Sequence, residues 1–237
     1  MKTRYSFSLT LLLALLAPVF QSMAAGRETR EVASFSQVTL ANSVTVVLVQ
    51  GSPQKVEAEG AAEDLAHLET TVRNSRLRIG TVRETSPLSS YRFRSSVTVY
   101  VTTPAVSALS VSGSGSLKAA AGVKSPNLSL SLSGSGRLEV GAVQATNVSS
   151  SVAGSGTIIL GQGSVSQHEV SISGSGSIKA ASLRADNCQV SISGSGDCHV
   201  NAARTLDASI MGSGDVHVSG NPKITSSVMG SGRVHKG

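Results

Sequence analysis

From Ser107 onward the chain alternates aliphatic with small polar side chains, the period-two pattern of strands that bury one face. Gly-Ser-Gly breaks the alternation seven times, with first glycines at Gly113, Gly134, Gly154, Gly174, Gly194, Gly212 and Gly230. The steps between them are 21, 20, 20, 20, 18 and 18 residues, which is the spacing of a structural repeat. Alignment on that glycine gives aliphatic columns. Two residues before it stand Val111, Leu132, Val152, Ile172, Ile192, Ile210 and Val228. Four residues after it stand Leu117, Leu138, Ile158, Ile178, Cys198, Val216 and Val234. Both columns are expected to face inward, and a weaker one (Val123, Val143, Val165, Leu183, Ala203) anchors the stretch between repeats.

The pattern predicts an all-β, right-handed parallel β-helix with coils of 18–21 residues, the glycines stacked at one corner. Asn127, Asn147 and Asn187, seven positions before the glycine, are expected to turn a second corner in left-handed conformation. The alternative is an antiparallel β-meander in which each Gly-Ser-Gly is a hairpin turn.

Residues 25–105 are less regular and are expected to cover one end of the stack formed by 106–237. Strands are predicted around Val38 and Leu40, Val44 to Leu48, Lys55 to Glu59, Leu77 to Ile79 and Val97 to Val101. Asn42-Ser43 reads as a turn, Ala61 to Leu68 as two helical turns, and Arg83 to Ser96 as an exposed loop.

Composition changes this picture in two ways. Residues 1–24 read as a secretory signal: Lys2 and Arg4 precede the apolar run Leu9 to Ala17, and Ser22-Met23-Ala24 supplies small residues for cleavage. That run is shorter than the ~20 residues a spanning helix needs, so an exported protein, periplasmic or at the cell surface, is expected without a transmembrane helix. Without Lys2 and Arg4, 18 basic residues face 14 acidic ones, a mild excess that does not call for a nucleic-acid partner. Every remaining Phe and Tyr (Phe35, Tyr91, Phe93, Tyr100) precedes the repeats, whose core must therefore be aliphatic.

The exported start, Phe35-Ser-Gln-Val-Thr-Leu followed by Val44 to Gly51, and the Ser-Gly-Ser-Gly repeats together resemble the bacterial head GIN domain family, labelled auto-transporter adhesins. The resemblance covers nearly all of the chain after the signal. It implies a β-helical cell-envelope protein with an adhesive role; the partner is expected to be an envelope or surface ligand, with a glycan as one candidate.

Candidate chemistry is sparse. One column is serine in every repeat: Ser110, Ser131, Ser151, Ser171, Ser191, Ser209 and Ser227. Parity turns it outward as a hydroxyl ladder suited to water or sugar hydroxyls. His199, His217 and His235 recur five residues after the glycine, stacked on adjacent coils where imidazoles suit a transition metal such as zinc. Cys188 and Cys198 point inward on the two sides of one corner, where an oxidising compartment permits a disulfide. His168 shares the inward column of Cys188 and reads as a core residue. Arg73, Arg76, Arg78, Arg83, Arg92 and Arg94 form a basic stretch in which Glu84 is the one acid, a candidate patch for acidic glycans or lipopolysaccharide.

No cofactor motif is present, and six acidic residues over the 132 positions from 106 onward leave little for hydrolytic carboxylate pairs. A non-catalytic interaction module is expected, with a polysaccharide-acting β-helical enzyme as the alternative. The last coil, Ile224 to Lys236, presents an open strand edge at which self-association or a partner is expected.

Overall fold

The computed structural model describes residues 26–82 and 91–237. The signal segment and the first part of the Arg83–Ser96 loop lie outside the described residues. The fold is all-β, with 71% of the described residues in strands and 2% in helix, wound as a β-solenoid of about six turns.

Pairing from coil to coil is parallel, which excludes the meander. Asn127–Gly134 lies in register beside Asn147–Gly154, so that Leu128 meets Val148, Ser131 meets Ser151 and Gly134 meets Gly154. The chain then turns at Gly-Ser-Gly into Arg137–Gln144, which pairs with Thr157–Gly174; the pairing is interrupted at Gly141 and resumes at Ala142 in the same register.

The corner needs both of its glycines. The first has positive φ, 112° at Gly134 and 120° at Gly154, a region costly for residues with a Cβ. The second lies too close to the coil beneath: a Cβ on Gly156 would fall 2.7 Å from the Gly136 carbonyl oxygen and 2.2 Å from Leu132 Cδ2. Between them the serine N–H donates to the preceding corner, as Ser155 does to Gly134 O at 3.0 Å.

The two main aliphatic columns are buried along the stack, and no single coil could bury both of its sides. Val228, 40% exposed in the last coil, marks where cover ends. Two expectations are corrected. The linking column is a composite: Val123, Val143, Gly163 and Leu183 stand in one register line, and Val165, Ala185 and Ala202 in another. Ala202, not Ala203, is the buried residue, because the register shifts between Ala180 and Asn187 as the coil shortens. Asn127, Asn147 and Asn187 do not turn a left-handed corner, since none has positive φ. Their side chains form a ladder instead: Asn147 Nδ2 donates to Asn127 Oδ1 at 2.8 Å, and Asn187 Oδ1 accepts from Thr205 Oγ1 at 2.7 Å.

Residues 37–50 are a coil within the stack. Gln37–Ala41 lies parallel to both Arg76–Thr81 and Ala108–Gly113. Thr45–Gln50 lies parallel to both Thr98–Thr103 and Ser116–Ala119. Leu40 therefore stands beside Val111, and Val46 beside Leu117, which continues both core columns without a Gly-Ser-Gly corner. Beyond this coil, Leu68–Arg73 adds antiparallel to Arg76–Thr81, and Lys55–Gly60 adds antiparallel to Thr98–Thr103. The helix Ala62–Ala66 sits at the same end with Leu65 in the core, and one apolar cluster runs from Phe35 to Val218.

Candidate functional site

The serine column becomes one row on one side of the solenoid. Ser110, Ser131, Ser151, Ser171, Ser191, Ser209 and Ser227 are consecutive register partners, and Thr39 extends the row by one strand. Flanking rows repeat the chemistry, with Ser129 and Ser149 on one side and Ser112, Ser133, Ser173 and Ser193 on the other. With strands ~4.8 Å apart and alternate residues ~6.6 Å apart, the hydroxyls form a flat grid. The serine hydroxyls that bond to protein groups among the described residues are those of Ser36, Ser95, Ser107, Ser125 and Ser150, none of them in the row. The row thus keeps its donors and acceptors for solvent or a ligand.

Three of the six arginines come together at the N-terminal end of this side. Leu68–Arg73 and Arg76–Thr81 are joined by Asn74-Ser75, both with positive φ (51° and 58°), a two-residue hairpin turn that sets Arg73 directly opposite Arg76. The Ser75 carbonyl accepts the N–H groups of Ser36 and Gln37 at 3.0 and 3.1 Å, tying the turn to the stack. Arg76 Nε donates to Gln37 Oε1 at 3.0 Å, and Arg78 pairs with Glu69 at 2.7 Å. These residues, with Thr71 and Asn74, line a groove of about 700 Å³. Arg94 is elsewhere, paired with Glu63, and Arg83 lies outside the described residues.

On the adjoining side His199, His217 and His235 stack face to face, with ring centroids 4.5 and 4.8 Å apart. Asp215 Oδ1 accepts the Arg233 N–H at 2.8 Å and lies 3.6 Å from His235 Nε2. Burial, and then His217, hold the His199 pKa below its usual value. Among the described residues no three His, Cys, Asp or Glu side chains are grouped to hold a metal ion.

Cys188 and Cys198 are both buried, and in this structure they are free thiols. The Cys188 thiol is turned toward Asn201 O, 3.9 Å away. Burial pushes the Cys188 pKa up to about 12 and raises that of Cys198 as well. His168 lies beside Cys188 in the core as read, and its polar partner, Ser150, comes from the coil before.

Sequence reasoning missed Asp64, buried at the end of the stack. It accepts hydrogen bonds from Tyr91 Oη at 2.8 Å, from the N–H groups of Arg94 and Ser95 at 3.0 and 2.9 Å, and from Ser95 Oγ at 2.5 Å. It also missed the hairpin, for which Asn74-Ser75 between two alternating segments was the available signal.

A family model described as "Putative auto-transporter adhesin, head GIN domain" matches residues 34–222. The chain belongs to this family. Among solved structures it is similar to a "putative adhesin" from Bacteroides fragilis, with TM-score 0.83 and 21% identity over 91% of this chain and 98% of that one. A "putative lipid binding protein" from Parabacteroides distasonis gives TM-score 0.75 and 24% identity over 91% and 98%. A "putative adhesin" from Parabacteroides merdae gives 0.72 and 18% over 91% and 97%. At these identities the likeness establishes a shared fold. Comparison with curated proteins gives no match. No described helix is long and apolar enough to cross a membrane.

Proposed function

We propose that this head GIN domain protein is an exported, non-catalytic interaction module of the cell envelope that holds a glycan against its hydroxyl side. The observation that carries the reading is the row from Ser110 to Ser227, in register across seven strands and without protein hydrogen-bond partners among the described residues. A flat array of unspent hydroxyls recognises a ligand that is itself a repeating array of hydroxyls. The family description as an adhesin supports the interaction role.

The test is binding of the mature protein to immobilised envelope polysaccharide, compared with S151V/S171V/S191V. Valine keeps strand propensity at these outward positions and removes three hydroxyls, each worth about 0.5–1.5 kcal/mol in a hydrogen bond. Binding is expected to weaken at least tenfold with folding intact. Unchanged binding, or release of soluble sugar without stable binding, would overturn the proposal.

A further inference from the structure

The hairpin that carries Arg73 and Arg76 holds two like charges at cost. Directly opposed residues of an antiparallel pair have Cβ atoms ~4.5–5.5 Å apart, and like charges there are destabilising. Among the described residues no carboxylate pairs with either of them, and the groove's one ion pair is Arg78 with Glu69. Gln37 takes Arg76 Nε and thereby fixes the guanidinium without neutralising it. The turn behind them is held by two backbone hydrogen bonds to Ser75 O, which fixes where the two side chains leave the backbone. Two neighbouring guanidinium groups in a concavity, one of them held by Gln37 and neither in an ion pair among the described residues, are suited to a carboxylate or another single anionic group.

The groove does not end at the arginines. Gln37 and Arg76 also line a second concavity of about 510 Å³, whose other walls include Asn127, Ser129, Asn147, Ser149, Gln167 and Glu169. Ser129, Ser149 and Glu169 are successive register partners, and so are Asn127, Asn147 and Gln167. One strip therefore runs across the strands from two cations, through amides and hydroxyls, to an acid. The distribution of charge selects the ligand. A densely charged polyanion such as a nucleic acid would meet Glu169, and Asp207 in the same row, at the far end. A membrane surface is flat, while these arginines sit in a concavity bordered by one exposed large aliphatic residue, Val82.

We infer that this strip binds a linear, sparsely acidic oligosaccharide, with an anionic group on Arg73 and Arg76 and neutral sugar hydroxyls along Asn127, Asn147, Ser129 and Ser149. The inference rests on the glycan-binding reading above and extends it by naming the ligand class and the end at which the charge is held.

Calorimetry on the mature protein tests it, with a hexasaccharide alternating uronic acid and N-acetylhexosamine as the probe. Its carboxyl-reduced form, hexagalacturonate, inorganic phosphate and phosphatidylglycerol vesicles are the comparisons. The alternating hexasaccharide is expected to bind at least tenfold more tightly than each of the four. R73Q/R76Q is expected to lose at least tenfold in affinity while melting at or above the wild-type temperature, since the repulsion is removed. N147A/S149A is expected to lose threefold or more for the hexasaccharide and nothing for a single uronic acid.

Equal binding of the reduced sugar, tighter binding of hexagalacturonate, phosphate or vesicles, no hexasaccharide binding, or indifference to R73Q/R76Q would each overturn the inference. Capture of R73Q/R76Q by envelope polysaccharide separates the two readings. If capture persists undiminished, the strip fails and the hydroxyl side stands; if wild type is not captured, the broader reading fails.

Discussion

Ser150 Oγ lies 3.1 Å from His168 Nε2, and each residue is 1% exposed, a polar pair sealed inside the core of the stack. Nδ1 of His168 has no partner, and burial lowers its pKa from 6.5 to about 4. The imidazole is therefore neutral in the folded state, while the unfolded chain takes up a proton below about pH 6.5. Stability from this group is present above pH 6.5 and is lost as pH falls toward 4, by on the order of 3 kcal/mol. Urea denaturation across that window is expected to show the loss. H168L/S150A is expected to abolish it and to match or exceed wild-type stability at pH 7, because an orphaned nitrogen is replaced by the aliphatic residues other coils use. H168L alone leaves the Ser150 hydroxyl unpaired and is expected to cost about 1–3 kcal/mol relative to the double variant.

Asp64 gives a second and lower acid limb. Burial would raise its pKa, but the hydrogen bonds from Ser95, Arg94 and Tyr91 outweigh burial and bring it down to about 2. A depressed carboxylate stabilises above its unfolded value near 3.8 and loses that contribution as pH falls toward 2, below the window of His168. D64N places an NH2 group among donors and is expected to cost about 2–3 kcal/mol at pH 7, read as a lower urea midpoint. It is also expected to flatten the limb between pH 4 and 2.

The corner glycines are testable by position. G156A forces a Cβ against Leu132 and the Gly136 carbonyl and is expected to destabilise by about 2 kcal/mol or more. G26A meets nothing within 4 Å and is the matched control, with a melting temperature within about 1 °C of wild type.

Both cysteines are expected to be silent to a thiol reagent in the native protein, since burial withholds the thiolate from Cys188 and Cys198. Two thiols are expected to react once the chain is unfolded in denaturant without reductant. A count of zero would show a bridge that this structure does not contain.

The repeat coils were legible because each is specified locally. Alternation decides which side chains turn inward, and Gly-Ser-Gly marks where the backbone must turn with positive φ and approach its neighbour closely. The same logic placed the Ser110-to-Ser227 row and the His199, His217 and His235 stack. Local pattern fails where the partner is distant. Leu40-x-Asn42-x-Val44-x-Val46 has the spacing of Val111-x-Gly113-x-Gly115-x-Leu117, yet without the glycines it does not read as a coil. Its neighbours, Arg76–Thr81 on one flank and Ala108–Gly113 on the other, lie some 40 and 70 residues away.

By itself, then, the sequence determined the solenoid, its corner and the outward hydroxyl row, because period-two burial and glycine conformation act within one coil. Only the tertiary structure decided which strands are neighbours, and with that everything made between strands. It set residues 37–50 inside the stack, paired Ser150 with His168, closed the Asp64 cluster and joined the Arg73–Arg76 hairpin to the Asn127–Asn147 ladder. The physical reason is that alternation specifies a buried face without specifying the strand beside it. Neighbours are chosen by the hydrogen-bond register and packing of the whole stack.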